Sequence, residues 1–362
     1  MKIKDINLYH LSVPLKKPFK TALRTVESAE ETIVEITTEE GVTGLGEAPP
    51  TAVITGDTNQ SIRGIIEKKI RPVLIGQKVD SLERMIELVN LAAIGNNSAK
   101  AAVDMAVYDL FGKLYNLPLF RLLGGYRNKI TSDLTISVTP PAEMSSDARE
   151  AVEQGYKTLK LKVGKTMKKD LARVKSIREA VGSEISIRLD ANQGWQAKEA
   201  VYAIKRMEEE GLNIELVEQP VKASDYKGLK YVTDNVLTPV MADESLFSPK
   251  DCLKLLEMRA CDLVNIKLMK SGGIYNALKI NAIAESYGIE CMLGSMLEAK
   301  VSVTAASHLA AAKKNITRLD LDAPSLLAED PVKGGIEISG PVIRLPEKPG
   351  LGIDKVDNLK RL

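Results

Sequence analysis

The sequence is poor in histidine, the residue on which many active sites depend. Only 2 of its 362 residues are histidines, and these, His10 and His308, lie far apart in the chain. A histidine-rich metal site is therefore excluded, and so is a mechanism that needs several imidazoles. If the protein binds a metal ion, oxygen ligands must hold it.

Cysteines and long apolar runs are also scarce. Cys252, Cys261 and Cys291 are an odd number with no C-x-x-C pair, which predicts reduced thiols in a cytoplasmic protein. The N-terminal stretch "MKIKDINLYHLSVPLKKPF" has no apolar run long enough for a signal peptide, and no segment approaches the length of a membrane span.

Positive and negative side chains are nearly balanced in number. The chain has 50 Lys and Arg against 48 Asp and Glu, a net charge of +2. This balance predicts neither nucleic acid nor an acidic membrane as a partner, and it leaves a homo-oligomer open. The length predicts two domains, or one large barrel with an appendage.

Residues 1–125 have the pattern of an α+β domain. Two extended runs flank a turn at Glu40–Gly41, and three stretches with helical periodicity follow, the last with Ser98 as a plausible N-cap. The stretch "GVTGLGEA" has the glycine spacing of a fragmentary dinucleotide-binding loop. No helix follows it at once and Pro49-Pro50 forbids one, so that interpretation is discarded.

From about residue 130 short apolar runs recur at steps of 24 to 28 residues, and most gaps carry an amphipathic helical segment. Eight such runs predict a TIM-type barrel, and the stretch after the eighth lacks a clean helix, which gives (β/α)7β. An open doubly wound sheet is the alternative, but the even spacing and the missing Gly-rich loop favour closure. We expect a barrel over 126–334 and a C-terminal segment, 335–362, that completes the capping domain.

Polar residues stand near the carboxyl ends of the predicted strands, where barrel enzymes place their active sites. Asp190, Glu218 and Asp243 follow three adjacent strands and would suit a hard cation such as Mg²⁺, one per subunit. The alternative is that these acids cap the helices that follow them.

Two lysines are predicted to lie on either side of these three acids. Lys162 and Lys267 lie on the second and sixth predicted strands, which face each other across a barrel of eight. Lys160 shares a strand face with Lys162, and we expect burial and the neighbouring cation to lower the pKa of Lys162. The alternative is that the lysines form structural ion pairs with the acids.

The stretches "TLKLKVG", "RLDANQGW", "VEQP", "MADES", "NIKLMKSGG" and "GSMLE" together resemble the muconate-lactonising subgroup of the enolase superfamily. The stretches "KPFKTALRT", "PPTAVITGD" and "TRLDLDAP" look most like its dipeptide epimerases, including those acting on L-Ala-D/L-Glu. Enolase-superfamily sites use lysine or histidine bases with Mg²⁺. The resemblance spans essentially the whole chain.

This resemblance implies a dipeptide substrate and a role for each candidate residue. Lys162 and Lys267 would be the two bases, and Lys160 would face the carboxylate of the substrate. Arg24 would meet the side-chain carboxylate of the substrate, and Asp320 with Asp322 would hold its N-terminal ammonium group. Other substrate-binding candidates are Ile54, Thr135 and Glu298.

Several other functions stay open. An epimerase with hydrophobic or cationic dipeptide specificity is the nearest, and a positive charge at Arg24 argues against cationic side chains. N-acylamino-acid racemase, muconate cycloisomerase and o-succinylbenzoate synthase use similar lysine-and-metal frames, but their substrates have no ammonium group for Asp320 and Asp322. A Schiff-base aldolase and a non-catalytic metal-stabilised scaffold are more distant alternatives.

Overall fold

The N-terminal part of the chain is built on an antiparallel sheet. A computed structural model describes residues 1–20, 25–164 and 166–362. Strands β1 (Ile3–Lys20), β2 (Thr25–Thr38) and β3 (Thr43–Ala48) pair in that order. The turn between β2 and β3 contains Gly41, whose φ of 83° suits glycine. The predicted hairpin is thus present.

Helices cover the inner face of this sheet. They are α1 (Asn59–Ile65), a π-helical turn (Ile66–Ile70), α2 (Arg71–Leu74), α3 (Leu82–Leu91), α4 (Asn97–Leu114) and α5 (Leu119–Leu123). Helix α4 is buried along most of its length. The prediction that Ser98 caps it is wrong, because Asn96 occupies the N-cap and Ser98 lies inside the first turn, where its amide donates to Asp57.

The second part of the chain contains eight parallel strands that pair in sequence order. They are β5 (Leu134–Ile136), β6 (Thr158–Lys162), β7 (Ser186–Asp190), β8 (Ile214–Glu218), β9 (Val240–Ala242), β10 (Leu263–Lys267), β11 (Cys291–Gly294) and β12 (Ile316–Asp320). The amide of Asp133, just before β5, donates to Leu319 O on β12, so the first and last strands meet. The sheet is therefore a nearly closed barrel.

Helical segments connect each strand to the next. They are α6 (Pro141–Glu153), α7 (Met167–Val181), α8 (Ala197–Glu209), α9 (Tyr226–Asn235), α10 (Pro249–Glu257), α11 (Leu268–Ser271) with α12 (Ile274–Ser286), and α13 (Lys300–Ala312). After β12 comes only the short α14 (Ala323–Leu326). The (β/α)7β barrel with an α+β capping domain, predicted from the repeat and the resemblance, is confirmed.

The barrel interior contains an apolar cluster and a charged network. Leu216, Met241, Leu263 and Met292 form a separate apolar cluster from four consecutive strands. Elsewhere the guanidinium group of Arg188 on β7 pairs with Asp133 and Glu215, each at 2.9 Å. Since a buried charge needs partners, this network satisfies Arg188 below the site.

The C-terminal segment contacts both parts of the chain. Strand β4 (Lys129–Thr131) pairs with β15 (Val342–Arg344), which also pairs with β14 (Glu337–Ser339). Strand β13 (Val332–Gly334) pairs with β16 (Ile353–Val356), and β17 (Lys360–Arg361) joins the edge of β1. The domain boundaries near residues 125 and 335 stay a prediction. In the described part of the chain, no helix is long and apolar enough to cross a membrane.

The buried His308 of α13 gives a testable pH dependence. Its Nδ1 accepts the amide of Phe120 at 2.9 Å, and its ring lies fully buried. Burial lowers the pKa of His308 to about 4, whereas an unfolded histidine titrates near ~6.5. The unfolded chain therefore binds the extra proton first, and stability is lost as the pH falls from about 6.5 towards 4, by roughly 3 kcal/mol.

We expect His308→Gln to remove this contribution while keeping an acceptor near Phe120. Urea unfolding at pH 7 and pH 4.5 should show a smaller stability difference for the variant than for the wild type. His10→Gln is the matched control, because His10 is partly exposed and lies 3.1 Å from Glu30. An unchanged pH slope in His308→Gln would contradict the assignment.

Candidate active site

A cavity at the carboxyl ends of the barrel strands brings half of the predicted site residues together. It is lined by six of them, Ile54, Thr135, Lys162, Lys267, Asp320 and Asp322. The capping domain contributes Phe19, Val53 and Ile54 to the wall facing the barrel. The site is therefore shared between the two parts of the chain.

Three buried carboxylates lie beside this cavity. Asp190 and Glu218 end β7 and β8, and Asp243 directly follows β9. Their ligand oxygens lie within 4.8 Å of one another. The alternative that they cap helices fails, because the N-caps of α8, α9 and α10 are Gln196, Asp225 and Ser248.

Neighbouring side chains and amides orient these acids. Asn265 Nδ2 donates to Glu218 Oε1 at 2.7 Å, and the amide of Asn192 donates to Asp190 Oδ1 at 2.9 Å. Three like charges so close together are costly out of water. Burial and Asp190 accordingly raise the pKa of Glu218 to about 8. An oxygen-only, buried and crowded set of this kind fits a hard divalent cation.

Lys162 and Lys267 approach the acids from opposite walls. Lys162 Nζ donates to Asp190 Oδ2 at 2.6 Å, and Lys267 Nζ donates to Asp243 Oδ2 at 2.8 Å. Lys162 is on β6 and Lys267 is on β10, and on one side of the barrel β7, β8 and β9 lie between these two strands. The ion pairs of the alternative interpretation are thus present, but their geometry also leaves both amines on the cavity wall.

Lys160 lies deeper than Lys162 and is the most heavily paired lysine of the site. Its Nζ lies 2.7 Å from Glu218 Oε2, 2.7 Å from Asp320 Oδ2 and 3.1 Å from Asp190 Oδ2. Burial alone would lower the pKa of Lys160, but Asp320, Glu218 and Asp190 raise it well above its ordinary value. It therefore keeps its charge.

The acids of the site outweigh burial and neighbouring cations at Lys267. Burial and Lys160 act to lower the pKa of Lys267, yet Asp243 raises it above its ordinary value. Spacing along a strand predicts an adjacent lysine, but it does not predict the acids that each ammonium group meets inside the barrel.

Asp320 and Asp322 form the end of the cavity nearest β5. Asp322 Oδ2 accepts the amide of Thr135 at 2.6 Å, and the hydroxyl of Thr135 donates to Asp320 Oδ1 at 3.3 Å. Burial and the charge of Asp320 raise the pKa of Asp322 to about 6. A cation would reduce the repulsion between two adjacent buried carboxylates, and the N-terminal ammonium group of the predicted substrate is such a cation.

Glu298, a predicted substrate-binding residue, does not line this cavity. Arg24 lies outside the described residues. The carboxylate of Glu298 is turned into the protein, where it accepts the amide of Met296 at 2.7 Å and the hydroxyl of Ser302 at 2.5 Å. Its substrate-binding role stays a prediction.

Sequence reasoning missed two buried residues beside the acids. Lys270 Nζ donates to Asp243 Oδ1 at 2.5 Å, although burial lowers its pKa. Glu244 accepts from Asn192 Nδ2 at 3.3 Å. The motif "NIKLMKSGG" contains Lys270, but no pattern distinguished it from a surface lysine, because the short helix α11 that turns it inward has no periodicity to read.

Comparison with known proteins agrees with this architecture. Residues 4–124 match the model of the mandelate racemase/muconate lactonizing enzyme N-terminal domain, and residues 143–358 match the enolase C-terminal domain-like model. The chain belongs to this family.

Members of the family similar to this chain include characterised epimerases. The L-Ala-D/L-Glu epimerase of Clostridium acetobutylicum is 57% identical over 99% of this chain and 100% of its own length. A substrate-liganded L-Ala-D/L-Glu epimerase from Bacillus subtilis superposes with a TM-score of 0.97 at 53% identity, over 98% of this chain and 99% of that one. A dipeptide epimerase from Enterococcus faecalis, complexed with Mg and L-Leu-L-Tyr, has a TM-score of 0.95 at 48% identity, over 98% and 100%.

Proposed function

We propose that this protein is an isomerase that epimerises the C-terminal residue of dipeptides of the L-Ala-D/L-Glu type, with Mg²⁺ as cofactor. The observation that carries the proposal is the pair of amines on opposite walls of one cavity. Lys162 and Lys267 flank the three buried acids, and each donates to a different one of them. Inverting a stereocentre by proton transfer needs groups on both of its faces.

The three acids supply what a magnesium ion needs. Asp190, Glu218 and Asp243 would hold one ion per subunit, since oxygen ligands in a crowded buried set suit Mg²⁺. Bound Mg²⁺ would supply positive charge that stabilises the enediolate formed when the α-proton leaves. The Mg complex of the Enterococcus faecalis epimerase supports this choice of ion.

The remaining roles follow from the charges around the cavity. One lysine, as the neutral amine, takes the α-proton from one face of the substrate, and the other, as ammonium, returns a proton to the opposite face. Lys160 stays charged beneath them and stabilises the carboxylate of the substrate as negative charge grows there. Asp320 and Asp322 bind the N-terminal ammonium group.

The choice of glutamate as the C-terminal residue of the substrate is supported by similarity to the relatives and by Arg24. A guanidinium group at Arg24 would suit the side-chain carboxylate of glutamate. A hydrophobic dipeptide is the second candidate, because Phe19, Met296 and Leu297 also line the cavity and the Enterococcus faecalis relative binds L-Leu-L-Tyr. A cytoplasmic location, a homo-oligomer and a role in murein-peptide recycling stay predictions.

A dipeptide screen in D₂O tests the proposal. We expect deuterium at the α-carbon of the C-terminal residue, detected by mass spectrometry, with L-Ala-L-Glu preferred over L-Leu-L-Tyr. Treatment with EDTA should stop the exchange, and added Mg²⁺ should restore it. Exchange only with hydrophobic dipeptides would favour the second candidate, and no exchange with any dipeptide would refute the proposal.

A further inference from the structure

The wall of the cavity next to Lys267 is an irregular segment whose position needs an explanation. Ser295, Met296 and Leu297 line the cavity and connect β11 to α13 without regular structure of their own. A segment of this kind keeps its shape only if its backbone groups are held by other parts of the protein.

Glu298, the residue after this segment, holds it from within. Its Oε1 accepts the amide of Met296, and its Oε2 accepts the hydroxyl of Ser302 in the first turn of α13. Glu298 is 3% exposed, so both bonds lie away from water. The segment is thereby tied to the helix that follows it.

The start of α13 is held in turn by the capping domain. Its N-cap residue, Ala299, has no side chain that could accept a hydrogen bond. Instead Glu47 on β3 accepts the amide of Ala299 at 2.5 Å and the amide of Ser302 at 2.9 Å. Glu47 is fully buried, so both bonds lie away from water.

The position of Glu47 is itself constrained by its neighbours. A Cβ atom at Gly44 or Gly46 would collide with the backbone of Ala106 or Ala102 on α4. The glycines of "GVTGLGEA" therefore allow β3 to pack closely against α4, and the glutamate of the same motif reaches the barrel. This packing explains a motif that the proposed reaction leaves unused.

We propose that Glu47 and Glu298 are positioning residues that fix the wall segment 295–297 against the capping domain and so determine how tightly the substrate binds. The effect on substrate binding rests on the proposed function, whereas the contacts of the two glutamates with the segment do not. Neither carboxylate lines the cavity, so the proposed role acts through the segment and would replace the direct substrate contact predicted for Glu298.

Substitution by glutamine should have different effects at the two glutamates, and the test uses this difference. The amides of Ala299 and Ser302 can only donate, so the amide nitrogen of Glu47→Gln would face a donor, with the Ser302 hydroxyl as the nearby group that could accept from it. Glu298→Gln can keep its oxygen on Met296 and donate its nitrogen to the hydroxyl of Ser302, which can also accept. A purely electrostatic role would instead make both glutamine variants equally impaired.

We expect Glu47→Gln and Glu298→Leu each to raise KM for the preferred dipeptide about tenfold with little change in kcat, because a buried amide loses its acceptor. Glu298→Gln should stay close to the wild type. Glu208→Gln is the matched control, since Glu208 accepts the amides of Leu237 and Thr238 away from this segment. The control should leave KM unchanged.

Hydrogen exchange of the substrate-free protein separates this inference from the proposed reaction. The amides of Met296, Ala299 and Ser302 should exchange about tenfold faster in Glu47→Gln than in the wild type. If Glu47→Gln does not fold, Ser302→Ala removes the hydroxyl between Glu298 and α13 and should speed exchange at Met296. Unchanged exchange and unchanged KM in the folded variants would overturn the inference, even if dipeptides are epimerised.

Discussion

Lys162→Ala and Lys267→Ala should each lower the rate of epimerisation by about 10²–10⁴-fold, the usual contribution of a general acid or base. The loss should apply in both directions, because each direction needs one lysine as base and the other as acid. In D₂O, however, each variant should still exchange the α-proton of one epimer, whose C–H bond faces the remaining lysine. The double variant should exchange neither epimer.

Both single variants are expected to fold, so the kinetic comparison is meaningful. Without Lys162, Asp190 keeps Lys160 at 3.1 Å. Without Lys267, Asp243 keeps Lys270 at 2.5 Å. Asp190 and Asp243 therefore each keep a cation in these variants, and the large cost of leaving a buried charge unpaired is avoided.

Mass spectrometry of the recovered dipeptides measures the exchange, and polarimetry measures the epimerisation. The surface variant Lys175→Ala is the control, since Lys175 lies 3.4 Å from Glu210 on the outer helices. If both single variants exchange the same epimer, the lysines do not act on opposite faces. If either variant epimerises at the wild-type rate, the two-base scheme is wrong.

The barrel could be predicted because its pattern is repeated. Each strand is a short apolar run followed by a helical segment, and the runs "TLKLKV" and "SIRLDAN" begin at the residues where β6 and β7 begin. Strand ends then place Asp190 and Glu218 without further information, since the carboxyl ends of parallel strands share one face. Periodicity thus predicts both the fold and the position of the acids that could hold a metal ion.

Contacts between distant segments could not be predicted in the same way. Glu47 is separated from Ser302 by the helices of the capping domain and most of the barrel, and Lys270 depends on a helix of four residues. The raised pKa values of Lys160 and Lys267 could not be predicted for a related reason. They depend on which acids reach each ammonium group, and that is set by side-chain packing and not by spacing along one strand.

Lys160→Met should destabilise the metal-free protein by about 3–5 kcal/mol, the usual cost of removing one partner from a buried charge cluster. Lys160 is the cation shared by Asp190, Glu218 and Asp320, and it is fully buried. Methionine fills a similar volume but leaves these carboxylates facing one another. Urea unfolding at pH 7 without Mg²⁺ measures the loss.

The matched control is Lys162→Met, two residues further along the same strand and on the same face. Lys162 pairs with Asp190 alone, and Asp190 would keep Lys160, so the control should lose much less stability. Equal stability of the two variants would show that Lys160 is not the cation that holds the acids together.

Added Mg²⁺ should distinguish the structural part of this role from the catalytic part. Because a divalent cation on Asp190 and Glu218 would restore positive charge between the carboxylates, Mg²⁺ should raise the melting temperature of Lys160→Met more than that of the wild type. Epimerisation should not return, since the substrate carboxylate would still lack the ammonium group. A variant that regains both stability and activity with Mg²⁺ would mean that Lys160 serves the fold and not the reaction.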